Sequence, residues 1–84
     1  MDQEALANVK ADIVLDTRGL SCPMPILRVK KELKGMQPGK IVEVWSTDPG
    51  SKKDMEDFAT KQGEEYLGYI DEQGYTRYLI KKGG

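Results

Sequence analysis

The chain has 84 residues, 32% of them charged and 38% hydrophobic, and a formal net charge of -1, as expected for one small globular domain. This charge balance argues against a molecule that binds nucleic acid or an anionic membrane over its whole surface. One cysteine and no histidine are present, which excludes an internal disulfide, a histidine-based metal site and Cys–His or Ser–His–Asp catalysis.

The first half of the chain predicts strand, helix, strand. Residues 1–11 show no clear period, and we expect a flexible lead-in before a buried strand over 12–16. A loop over 17–21 then leads into a helix that ends near the glycines at 35 and 39. Its apolar side chains recur at helical spacing, which indicates one buried face: Ile26, Val29, Leu33 and Met36. A second strand is predicted over 41–45.

The second half predicts a helix and a hairpin. Ser51 and Asp54 have the spacing of a helix start, and Gly63 is suited to a C-terminal cap. Strands over 66–70 and 75–80 follow, joined by a tight link. The order β-α-β-α-β-β predicts an α/β (α+β) two-layer sandwich, with a mixed four-stranded sheet and both helices on one face. The domain is expected to span 12–82, before a flexible tail at 83–84.

Cys22-Pro23-Met24-Pro25 is the most informative stretch. With Cys22 as the cap of the first helix, the two prolines occupy positions where a missing N–H costs little, and the amide of Met24 is left free near the sulfur. A thiol at the positive end of a helix dipole has a lowered pKa and is reactive. A small buried cysteine is the structural alternative, and the residues alone leave both interpretations open.

Basic residues flank the cysteine on both sides. Arg18 precedes it in the loop, and Arg28, Lys30 and Lys31 follow it in the helix. We expect their field to favour a thiolate and to steer an acidic partner. Lysines late in a helix also suit its negative end, which is a sufficient structural reason for some of them. Asp16 is expected to anchor the loop through Arg18 or backbone N–H groups.

The run from Asp16 to Pro25 resembles the signature of the TusA-like (SirA/YedF-like) sulfur carriers, and the resemblance extends over residues 12–82. It implies a sulfurtransferase in which Cys22 holds sulfane sulfur as a persulfide, with no cofactor and no metal. It implies a cysteine desulfurase or a rhodanese as donor and a cysteine-based, DsrE-like relay protein as acceptor. The motif residues that would support the cysteine are Asp16, Arg18, Gly19, Pro23 and Pro25.

Several questions stay open at this level. The resemblance fits thiolation of tRNA, supply of the molybdenum cofactor and oxidative sulfur metabolism equally well. The alternatives are an RNA-binding or regulatory module, a thiocarboxylate carrier using Gly83-Gly84, and a redox enzyme resolved by a partner thiol. We expect a cytoplasmic protein without a membrane contact, because the N-terminus is acidic and no apolar run approaches the ~20 residues of a membrane span. We also expect a monomer, and the net charge of -1 argues against direct nucleic-acid contact.

Overall fold

A computed structural model describes residues 8–21, 24–48 and 50–83. Their elements follow the order β-α-β-α-β-β, which confirms the predicted fold class. The predicted lead-in over 1–7 and the last glycine lie outside the described residues. The bounds are β1 Ile13–Asp16, α1 Met24–Lys34, β2 Ile41–Ser46, α2 Ser51–Lys61, β3 Glu65–Glu72 and β4 Tyr75–Lys81.

The four strands form one mixed sheet in the order β1-β2-β4-β3. Strand β1 pairs parallel with β2, whereas β4 lies between β2 and β3 and is antiparallel to both. Each helix therefore connects two strands that run in the same direction. Right-handed connections of this kind place both helices on the same face of the sheet.

The main hydrophobic core lies between that face and the two helices. Alternate residues of the central strands point into it, because side chains in a strand alternate between the two faces. Its buried members are Val29, Leu33, Met36, Val42, Val44, Met55, Ala59, Tyr78 and Ile80. The predicted apolar stripe of the first helix is confirmed, with Ile26 partly buried against the same cluster.

The two ends of helix α2 differ in how well the sequence predicts them. The helix begins at Ser51, as predicted, but its N-cap is Gly50 and no side chain makes a capping hydrogen bond. Instead, the N–H of Gly50 donates to Asp48 Oδ1 at 3.0 Å. At the other end Gly63 has φ +76°, and the N–H of Glu64 closes the turn on a helix carbonyl, which confirms the predicted glycine cap.

The hairpin is tighter than predicted. Strand β3 continues through Glu72 and β4 starts at Tyr75, so the connection has two residues rather than four. Gly74, the second residue of this connection, has φ +90°, a left-handed conformation that glycine adopts without steric cost.

A smaller apolar cluster covers part of the opposite face of the sheet. Leu79 and Ile70 are buried there, with Val9, Ile41 and Leu67 packed against them. Val9, expected in the flexible lead-in, thus contacts the sheet. Gly83, expected in the flexible tail, donates its N–H to Glu64 Oε1 at 2.9 Å. No helix among the described residues is long and apolar enough to cross a membrane.

Candidate functional site

The candidate site follows strand β1, where the loop 17–21 leads to the cysteine motif. Cys22 and Pro23 lie outside the residues that the structure describes. The described residues on either side define the local frame. The N–H of Met24 donates to the carbonyl of Ser21 at 2.9 Å. The prediction that the Met24 amide is free for the sulfur is therefore wrong, because the first turn of the helix uses it.

The loop is anchored to the end of strand β2. Thr17 is only 2% exposed, and its N–H and hydroxyl both donate to the carbonyl of Trp45, at 2.9 and 2.5 Å. The N–H of Gly19 donates to Thr47 Oγ1 at 2.9 Å. Gly19 has φ +87°, and a Cβ there would meet nothing within 4 Å, so its backbone conformation alone explains the glycine.

Arg18 forms an ion pair with Asp16, one of the two ways in which Asp16 was expected to anchor the loop. Its Nε donates to Asp16 Oδ1 at 2.9 Å and its Nη2 to Oδ2 at 2.8 Å, which is a bidentate pair. The backbone N–H of Arg18 also donates to Asp16 Oδ1, at 3.1 Å. The side-chain hydrogen bond from Arg18 and then the backbone bond lower the pKa of Asp16, and the same pairing raises the pKa of Arg18.

The same guanidinium lies over two aromatic rings. Its Cζ is 4.9 Å from the ring centroid of Trp45 and 5.2 Å from that of Tyr75. The two rings contact each other at 5.5 Å with an interplanar angle of 45°. Arg18 is therefore an ion-paired, stacked cation. Its predicted contribution to a positive field at Cys22 stays a prediction.

Trp45 is held in turn by a largely buried charge network on the helix-free face of the sheet. Its indole N–H donates to Glu43 Oε2 at 2.6 Å, and Arg77 Nη2 donates to Glu43 Oε1 at 2.7 Å. Arg77 Nη1 reaches Glu72 at 3.2 Å. Burial opposes ionisation of Glu43, but the hydrogen bonds from Arg77 and Trp45 outweigh it and lower its pKa. Sequence reasoning missed this network.

The basic residues of helix α1 fall into two groups. Arg28 and Lys31 are exposed and share a helix face with two exposed apolar side chains, Met24 at 41% and Leu27 at 49%. Lys30 lies on a different side of the helix and lines a shallow cleft between the helices and the C-terminal residues. The three predicted partner-binding residues therefore do not form a single patch. Pro25, the described proline of the motif, is buried.

The cleft is lined by Lys30, Leu33, Lys34, Phe58, Gln62, Glu64 and Lys82. Lys82 Nζ lies 3.3 Å from Glu64 Oε2, so the cleft carries its own ion pair. Across the described part of the chain, no group of three His, Cys, Asp or Glu residues is placed to hold a metal ion.

Comparisons with known proteins agree on one family. Residues 13–82 match the family model described as Sulfurtransferase TusA. The chain is 48% identical over 71 residues to the Sulfur carrier protein TusA of Allochromatium vinosum, covering 84% of this chain and 93% of that protein. It is 46% identical over 76 residues, or 90% of its length, to Bacillus subtilis YrkF, but spans only 41% of that longer protein.

A solved structure supports the same assignment. The crystal structure of a SirA-like protein from Desulfitobacterium hafniense superimposes with a TM-score of 0.74 at 27% identity, covering 86% of this chain and 99% of that one. Fold and sequence thus define a small α+β sandwich of the SirA-like type. The chain belongs to the TusA family of sulfur carriers, whose members exchange sulfur with donor and acceptor proteins.

Proposed function

We propose that Cys22 carries sulfane sulfur as a persulfide, and that the protein acts as a sulfurtransferase between two partner proteins. The observation that carries the proposal is that this member of a sulfur-carrier family has a single cysteine. A carrier that uses thiol chemistry then has only Cys22 to use. With no second thiol in the chain, the persulfide cannot be discharged internally as a disulfide.

The chemistry is thiol exchange and needs no external oxidant. The Cys22 thiolate attacks the terminal sulfur of a donor persulfide, a new S–S bond forms on Cys22, and the donor cysteine leaves as a thiolate. An acceptor thiolate then attacks the outer sulfur, and the Cys22 thiolate is released. Each step transfers one sulfur atom from one cysteine to another with no net oxidation or reduction.

The fold supports the thiolate form of Cys22 through the dipole of helix α1. The helix has 11 residues, Met24–Lys34, with no acidic residue in its first turn. Its positive end favours an anion within the first turn. Because the Met24 amide is already bonded to Ser21, we attribute the stabilisation to the helix dipole and not to a direct hydrogen bond from that amide.

Partner proteins dock, in this proposal, on the outer face of helix α1 beside the motif. Met24 and Leu27 provide exposed apolar area, and Arg28 and Lys31 provide adjacent positive charge. A cysteine desulfurase or a rhodanese would load Cys22, and a DsrE-like relay protein would unload it. The end use would be tRNA thiolation, molybdenum cofactor supply or oxidative sulfur metabolism. We place the protein in the cytoplasm, where thiols are kept reduced.

A chase experiment tests the relay. The protein is loaded from cysteine carrying radioactive sulfur by a cysteine desulfurase, purified from the donor, and mixed with a relay protein of the DsrE type. We expect reductant-labile label on the wild type, transfer of that label to the acceptor, and neither event with Cys22→Ala. The RNA-binding alternative would be favoured if the wild type takes up no label and binds RNA in a salt-dependent way that Cys22→Ala does not change.

A further inference from the structure

The loop before Cys22 is held from the helix-free face of the sheet by side chains distant in sequence. Arg18 lies over Trp45 of β2 and Tyr75 of β4, with centroid distances of 4.9 and 5.2 Å. Asp16, at the end of β1, fixes the other edge of the guanidinium. The four side chains form what we call the arginine clamp: Asp16, Arg18, Trp45 and Tyr75.

We infer that Trp45 and Tyr75 are positioning residues for the Cys22 thiol and act on it through Arg18. The inference rests on the proposed function of Cys22 as the sulfur carrier. It assigns a role to two aromatic residues that lie outside the cysteine motif and belong to strands other than the one preceding the loop.

Geometry supports action through the backbone. Arg18 is next to Thr17 and Gly19, whose amides are bonded to Trp45 and Thr47 at the end of β2. With the Arg18 side chain stacked as well, three consecutive residues of the loop are tied to the sheet. Ser21, at the end of this loop, accepts the hydrogen bond from Met24 that starts helix α1. Described residues on both sides of Cys22 and Pro23 are therefore held by hydrogen bonds.

Other side chains hold the arginine clamp in place. The indole N–H of Trp45 donates to Glu43 of the same strand, and Glu43 is paired with Arg77 of the neighbouring strand β4. A guanidinium against two aromatic faces is favourable, and pairing with a carboxylate orients its plane. Without the clamp the loop has more accessible conformations. The fraction of molecules whose loop has the described conformation then falls, and in our inference the apparent reactivity of Cys22 falls with it.

The experiment measures alkylation of Cys22 by iodoacetamide between pH 5 and 9, and in parallel the rate of persulfide loading. The variants are Tyr75→Leu, Tyr75→Phe, Arg18→Gln and the Arg18→Gln/Tyr75→Leu double variant. Tyr69→Leu is the matched control, because Tyr69 is a tyrosine of the same hairpin that contacts Tyr78 and packs on the helix-covered face. Circular dichroism verifies folding, and Arg18→Gln changes an exposed side chain, so at least one informative variant is expected to fold.

We expect Tyr75→Leu and Arg18→Gln to slow alkylation at pH 7 by about three- to tenfold and to move its pH midpoint upward, the size expected for losing one or two cation–π contacts. Tyr75→Phe should restore the rate because the ring remains, and the double variant should be no slower than either single variant. Unchanged alkylation rates in both folded single variants, or fully additive losses, would overturn the inference. Because alkylation does not involve a persulfide, this result is independent of whether Cys22 accepts sulfur.

Discussion

The charge network under Trp45 predicts a large and pH-dependent stability effect for Arg77→Leu. The Glu43 side chain is only 7% exposed and lies 2.7 Å from Arg77. Removing the cation leaves the buried carboxylate with the hydrogen bond from the Trp45 N–H as its described partner. Breaking a fully buried pair costs ~3–5 kcal/mol, and because Arg77 is 23% exposed and shared with Glu72, we expect about 2–3 kcal/mol.

That loss is a large part of the total stability. A domain of 84 residues has a free energy of unfolding of roughly 4–12 kcal/mol. The expected change therefore lowers the midpoint of thermal unfolding by about 10–20 °C. Urea unfolding followed by circular dichroism measures it, with Glu72→Gln as the control, since that outer, partly exposed partner should cost less than ~1 kcal/mol.

The pH dependence of this loss separates a charge effect from a packing effect. In the wild type the pKa of Glu43 is below its ordinary value of 4.5, so the pair stabilises the protein above that pH and the stabilisation is lost as the pH falls through the lowered pKa. In Arg77→Leu only the Trp45 hydrogen bond still opposes burial, which is the larger effect, so the pKa of Glu43 rises and the variant gains relative stability on acidification. The gap between the two proteins should narrow from pH 7 to about 4.5.

A double variant checks the reasoning about this network. Glu43→Leu/Arg77→Leu should recover most of the lost stability, because it removes the buried charge together with its partner. Two results would refute the reasoning: an Arg77→Leu stability within ~0.5 kcal/mol of the wild type, or a stability difference between the two proteins that does not change with pH.

Three other predictions concern the core, a helix end and the docking face. Met55→Ala should lower the free energy of unfolding in urea by about 2–5 kcal/mol, because Met55 is fully buried. Lys53→Ala, on the exposed side of the same helix, should change it little, and equal losses in the two variants would contradict the assigned core. Gly63→Ala should lower the free energy of unfolding by about 1–2 kcal/mol in the same assay, since the φ of +76° at this position is unfavourable for alanine. An unchanged stability would contradict the role of Gly63 as the C-terminal cap of α2. Arg28→Glu/Lys31→Glu should slow persulfide loading of Cys22 by a donor protein about tenfold at low salt and less at high salt, with Lys53→Glu as the control. A loading rate that does not depend on salt would exclude electrostatic steering by this face of α1.

Local patterns predicted the elements of this fold well. The helical spacing of apolar residues identified the buried stripe of α1, and a single glycine marked the end of α2. These features depend on neighbours within about one or two helical turns. The strand order β1-β2-β4-β3 was not predicted, because the placement of β4 between β2 and β3 depends on packing across the whole chain.

The candidate site was predicted only in part for the same reason. The Asp16–Arg18 pair involves residues two apart, and the sequence analysis found it. Trp45 and Tyr75 are much farther from Arg18 in the chain and meet it only after the strands assemble. No local pattern links them to Arg18, because the pairing of Trp45 with Asp16 of β1 is a strand register that exists only in the assembled sheet. The free amide of Met24 was wrongly predicted because it depended on the exact first turn of the helix.

Intact-mass spectrometry after sulfur loading tests the central claim most directly. The reduced wild type and Cys22→Ser are incubated with a cysteine desulfurase and cysteine, or with a rhodanese and thiosulfate, and then measured before and after reduction. Our account predicts the mass of one added sulfur atom on the wild type, its loss on reduction, and no addition to Cys22→Ser. No addition to the wild type with either donor, or an equal addition to both proteins, would contradict Cys22 as the carrier.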